Sequence, residues 1–90
     1  MPQAELLIDH SAGLHARPAS MFVQEANKYS AEIQVKYGGR TVNAKSILGI
    51  LTLGAHKGAR IEVCTIGEDA AEALEALRSL VESNFGSGEK

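Results

Sequence analysis

The residues best equipped for chemistry in this chain stand together in Gly13-Leu14-His15-Ala16-Arg17-Pro18-Ala19. A glycine ends one element and a proline soon opens another. Pro18 has a fixed φ and no amide hydrogen, which suits the first turn of a helix. This reading places His15 at or just outside a helix N-terminus, near N–H groups that have no intrahelical acceptor. The partial positive charge of such an end attracts anions, and the N–H groups point at them. Arg17 adds a permanent cation whose planar fork of donors matches phosphate oxygens. A nucleophilic imidazole beside an anion-binding helix end is suited to accept a phosphoryl group. The expected phosphate contacts are the Arg17 side chain and the amides of Ala16 and Arg17. An exposed site with one arginine suits reversible transfer, whereas a deep anion hole would trap the phosphate.

The elements that must position this stretch can be read in order. Ala4 to Ile8 is a short apolar run and gives the first strand, and residues 9–13 form a polar loop. The first helix should run from about Ala16 to Lys28, with Ala19, Phe22, Val23 and Ala26 as its buried stripe. Arg17, Met21 and Gln24 fall on the opposite side with Ser20 at the margin, so Met21 is expected to be exposed beside Arg17 as part of a partner surface. Glu32 to Tyr37 alternates polar and apolar residues before Gly38-Gly39, a pair suited to a tight hairpin turn. The matching register sets Tyr37 opposite Arg40, Val35 opposite Val42 and Ile33 opposite Ala44; a slip of one residue would turn the apolar sides apart.

Ser46 then suits the N-cap of a short second helix over 47–53, with Gly54 just past its end. Ile47, Leu48 and Leu51 cluster on one side of it, Ile50 and Leu53 on another. A helix this short on a small domain can hardly bury both, and an exposed apolar cluster marks a partner site. Ala59 to Ile66 gives the fourth strand, with Ile61, Val63 and Thr65 alternating against Arg60, Glu62 and Cys64. Asp69 and Glu72 have the spacing of a capping box for the last helix. Its inward stripe is Ala70, Ala73, Leu74, Leu77 and Val81. The helix frays near Asn84, and 86–90 is expected to be a loose tail. The order β-α-β-β-α-β-α, with half-buried strands, predicts an α+β open-faced sandwich: a mainly antiparallel sheet with one covered and one solvated face.

Composition narrows the function. Ninety residues suit one small domain, here read as spanning 1–90 with its core over about 4–85. A net charge of −2 gives no general pull toward nucleic acid or an anionic membrane. One cysteine, Cys64, precludes an internal disulfide and reads as a small apolar filler in a strand. The N-terminal residues do not read as a signal peptide and no apolar run is long enough to span a bilayer, so a leader is not expected and the cytoplasm is the expected compartment. The letters Asp9-His10-Ser11 cannot form a triad, because adjacent side chains cannot adopt base–nucleophile–orienter geometry. Three scattered histidines and one cysteine do not make a metal site, and Lys57-Gly58 lacks a P-loop's glycine framework. No cofactor is expected.

The stretch from Gly13 to Ala19 resembles the active-site signature of HPr, the histidine-containing phosphocarrier of the bacterial phosphoenolpyruvate-dependent sugar phosphotransferase system. Val42-Asn43-Ala44-Lys45-Ser46-Ile47-Leu48-Gly49 resembles the family's regulatory serine region, and the likeness runs from about Glu5 to Phe85. It implies strand order 1-4-2-3 with three helices on one face, and His15 phosphorylated through Nδ1. It also implies loading by Enzyme I, delivery to enzyme IIA domains, and a monomeric carrier that is a covalent substrate more than a turnover enzyme. Ser20, Met21, Gln24, Ile47, Leu48 and Leu51 fall where the family docks partners.

Ser46 corresponds to the serine that an HPr kinase/phosphorylase modifies in many Gram-positive relatives, giving a corepressor for a catabolite-control transcription factor. A dianion at a helix N-terminus need not disturb the fold. Ile47, Leu48 and Leu51 replace methionines of many Gram-positive relatives, and Gln24 and Asn27 replace basic residues of some. Two alternatives differ in function: a nitrogen-branch paralogue using the same histidine, and a regulatory binding module controlled through Ser46. A catabolite-repression paralogue lacks the active histidine, and His15 argues against that identity.

Overall fold

The computed structural model describes residues 2–86. Its elements are β1 (Gln3–Leu7), α1 (Ala16–Ala26), β2 (Glu32–Tyr37), β3 (Arg40–Asn43), α2 (Ile47–Thr52), β4 (Arg60–Ile66) and α3 (Ala70–Glu82), followed by a 3-10 turn at Asn84–Gly86. The four strands form one sheet in the order β1-β4-β2-β3, antiparallel throughout. The central hairpin has the register that its alternation requires. Tyr37 faces Arg40, Val35 faces Val42, and the Ala44 amide donates to the Ile33 carbonyl at 2.9 Å. Gly38 and Gly39 both take positive φ in the turn.

Period-two patterning decides which face is covered. Leu6, Ile33, Val35, Ile61, Val63 and Thr65 point into the layer of helices and are buried. Buried Thr65 satisfies its hydroxyl by donating to the Ala70 carbonyl at 2.7 Å. The other face carries cross-strand ion pairs, Lys36–Glu62 at 3.9 Å and Arg60–Glu5 at 3.6 Å. Cys64 lies among them as Cα partner to both Gln3 and Gln34, yet is only 7% exposed, in keeping with a small filler.

The helices are narrower and better held than their sequence suggests. α1 ends at Ala26, two residues early, where Asn27 becomes the C-cap. Ala19, Phe22 and Ala26 are fully buried while Val23 is half-buried. Met21 departs from expectation: it is half-buried and packs against the core. α1 touches both α2 and α3, and an unbranched thioether readily lies back along apolar neighbours.

The expected capping box at Asp69 does not form, since its side chain makes no bond to its own helix. Asp69 instead accepts from the Ser30 and Ala31 amides at 2.9 and 2.8 Å, tying the segment just before β2 to the start of α3. The stripe of α3 is buried as expected, and Phe85 beyond it is buried too. The expected loose tail lies, from residue 87 onward, outside the described residues.

Candidate functional site

His15 is the N-cap of α1, with extended backbone (φ −131°, ψ 166°) and an exposed side chain that makes no capping bond. Its carbonyl accepts the Ala19 amide at 3.5 Å, a long first bond for a helix. The next residue, Ala16, has φ 50°, a left-handed conformation costing an L-residue roughly 1–2 kcal/mol. Pro18 occupies the third helical position and is buried. The amides of Ala16 and Arg17 have no partner among the described residues. No acidic side chain occupies this first turn, and Arg17 is exposed at it. The site therefore presents an accessible imidazole, two undirected amides and one guanidinium at the positive end of an 11-residue helix.

Strain at Ala16 persists only because the flanks are fixed. Leu14 is fully buried, and its amide donates to the Ala55 carbonyl at 2.8 Å. Gly13 donates to the His10 carbonyl at 2.8 Å and has φ +66°. Further back, the Ile8 and Ala59 backbones meet at 2.8 Å, and the Gly58 amide reaches the Ile8 carbonyl at 2.6 Å. The loop carrying His15 is thus laid against the loop between α2 and β4. That second loop is braced in turn by an edge-on contact between His56 and Tyr37, with ring centroids 6.4 Å apart.

Ser46 caps α2, its Oγ accepting the Gly49 amide at 3.1 Å. On α2, Ile50 and Leu53 turn into the core, while Ile47, Leu48 and Leu51 are 41%, 73% and 37% exposed. α2 packs against α1, which bears Ser20, Met21 and Gln24. Gln24 is exposed and donates to the half-buried Ser20 hydroxyl at 3.3 Å. His10 and His56 are loop residues, and among the described residues no group of three or more His, Cys, Asp or Glu could hold a metal ion. No helix of the described residues is long and apolar enough to cross a membrane.

Three residues of the site's framework were not singled out from sequence as part of it. Leu14 was legible: an apolar residue before the cap and another at the fourth helical position, Ala19, is the pattern of a hydrophobic staple. Asn27 and Lys45 carried no such signal, because their bonds reach across the chain. Asn27 Nδ2 donates to the Val23 and Lys45 carbonyls, and Lys45 Nζ donates to the Tyr29 carbonyl.

An open-faced sandwich that sets an exposed histidine at a helix start, with arginine two residues on, defines a class of small phosphoryl-accepting proteins. The model of the PTS-HPr family, described as the PTS HPr component phosphorylation site, matches residues 2–83. The chain belongs to the HPr family, the phosphocarriers of the phosphotransferase system. HPr-C-His from Thermoanaerobacter tengcongensis is 44% identical with a TM-score of 0.96, over 99% of this chain and 100% of that one. The HPr of Bacillus anthracis is 49% identical with a TM-score of 0.86, over 89% and 95%. Crh, the catabolite-repression HPr of Bacillus subtilis, is also similar, at 40% identity and a TM-score of 0.73 over 92% and 95%.

Proposed function

We propose that this protein carries phosphoryl groups on His15 from phosphorylated Enzyme I to enzyme IIA domains during sugar uptake. The observation that supports this reading most is His15 standing as an exposed N-cap, with Arg17 and two open amides beside it. A ring nitrogen of His15 forms a bond to phosphorus as the bond from phosphorus to the donor breaks. The Ala16 and Arg17 amides and the Arg17 guanidinium then hold the new anionic oxygens. Delivery reverses the step onto the histidine of the next protein. Ile47, Leu48 and Leu51, with Ser20, Met21 and Gln24, form the partner surface. In this reading the chain is one domain working as a cytoplasmic monomer, without a cofactor.

A second reading is favoured by the likeness to Crh and by Ser46, which caps α2 next to the exposed apolar cluster. Phosphorylation there would place a dianion in the docking surface, oppose acidic groups on Enzyme I, and serve a kinase-controlled regulatory role toward a transcription factor. A dimeric HPr from Thermoanaerobacter tengcongensis and a swapped Crh dimer are also similar, so the monomer is tested by light scattering.

Incubation with Enzyme I and phosphoenolpyruvate decides between the readings. A carrier gains an acid-labile phosphate that His15→Ala abolishes. An unlabelled wild type under conditions that load a known HPr would leave only the binding role. Transfer onward to a nitrogen-branch acceptor but not to a sugar IIA domain would place the protein in that branch.

A further inference from the structure

We infer that Asn27 and Lys45 are positioning residues that fix α2, and with it the apolar cluster, relative to the helix that carries His15. The inference rests on the phosphocarrier reading. α2 has six residues, too few to hold its own shape in water, so its direction must come from contacts outside it. Its only fully buried side chain is Ile50. Leu53 just past its end is also buried, and Arg40 Nη1 donates to the Thr52 carbonyl at 3.1 Å. These anchors lie in the second half of α2 and leave its first turn to be fixed from elsewhere, since a swing there would carry Ile47 and Leu48 across the surface.

Lys45, two residues before the helix, is fixed at three points by three different residues. Its amide donates to Asn43 Oδ1 at 2.8 Å. Its carbonyl accepts from Asn27 Nδ2 at 3.3 Å, while the same Nδ2 holds the Val23 carbonyl at 2.9 Å. Its half-buried side chain reaches the Tyr29 carbonyl, with Nζ 2.6 Å away. Val23 and Asn27 belong to the end of α1, and no basic residue of α1 itself stands in its last turn. Lys45 therefore supplies the cation at the negative end of the same helix whose positive end bears His15. Eleven residues make α1 a rod of about 16 Å. Clamping α2's entry to one end of that rod sets where the apolar cluster lies relative to the imidazole at the other.

The test combines loading kinetics with amide hydrogen exchange on Asn27→Ala, Lys45→Met and Lys45→Arg. Clamp loss should raise the KM of Enzyme I for this protein about ten-fold with kcat unchanged. It should also speed exchange of the Gly49 and Ile50 amides about ten-fold while β4 amides keep their wild-type rates. Lys45→Arg, which keeps a donor for the Tyr29 carbonyl, should restore both. A raised KM with unchanged α2 exchange would mean direct partner contact and overturn the inference. So would faster α2 exchange with unchanged KM, or faster exchange throughout the sheet. Failure of the wild type to load would sink the carrier reading instead, and the exchange arm would still report the clamp.

Discussion

Gly13 and Ala55 approach so closely that a Cβ on Gly13 would lie 2.7 Å from the Ala55 carbonyl oxygen, and as close to the His56 Cα. The obstruction is backbone, which cannot rotate aside, and Gly13 also sits at φ +66°. Gly13→Ala should therefore cost about 2–4 kcal/mol, combining left-handed strain with overpacking. Gly39→Ala is the control: its φ is +82° but nothing lies within 4 Å, so only about 1–2 kcal/mol of strain is expected. Urea denaturation of both variants measures the difference, and equal losses would mean that the loop behind His15 is not tightly seated.

Ala16 should behave opposite to an ordinary helical alanine. With φ at 50°, replacement by glycine removes the Cβ penalty, so Ala16→Gly should leave stability unchanged or raise it by up to about 1 kcal/mol. Ala76→Gly, in the middle of α3, should lower it by about 1 kcal/mol. Thermal melts of the two variants give the comparison; a matching loss at Ala16 would show that the left-handed turn carries no strain.

Ser46 separates capping from charge. Ser46→Ala loses the bond from the Gly49 amide and should cost about 1 kcal/mol without adding charge. Ser46→Asp retains a good capping oxygen and should melt near wild type, yet under the proposed function load more slowly from Enzyme I, because it carries negative charge into the proposed docking surface. Unchanged loading by the aspartate variant would remove the electrostatic argument for regulation.

Asp69 gives the fold a defined response to acid. The Ser30 amide holds its carboxyl below the usual aspartate value, against opposition from desolvation and with further help from the Ala31 amide. A lowered folded pKa contributes stability that is present above the unfolded value and is lost as pH falls through the folded one. Asp69→Asn should therefore melt below wild type at about pH 7, and the gap should close at about pH 2. A gap independent of pH would mean that the carboxylate charge is immaterial to the tether.

What could be read in the sequence was what neighbours in the chain decide. The register of the central hairpin follows from alternation and two glycines. The Ser46 cap follows from one hydroxyl ahead of an apolar run, and the split of α2 into buried Ile50 and exposed Leu48 follows from its shortness. The spacing of Asp69 to Glu72 satisfies a local rule, whereas its carboxylate finds two better donors 38 and 39 residues back. Helical angle alone puts Met21 in solvent, because it ignores the two helices that flank α1. The clamp at Lys45 was invisible for the same reason: Tyr29 and Asn27 come to it only once the hairpin has folded.

Pro18 at the third helical position has a last consequence. A helix start usually offers several backbone donors to an anion, and here proline deletes one of them. In the proposed role, a phosphoryl group on His15 would rest in a shallow energy well, rimmed by two amides and an exposed guanidinium and open to solvent. Shallowness suits a relay, because neither filling nor emptying the station then faces a steep climb, and direction is left to the proteins upstream and downstream.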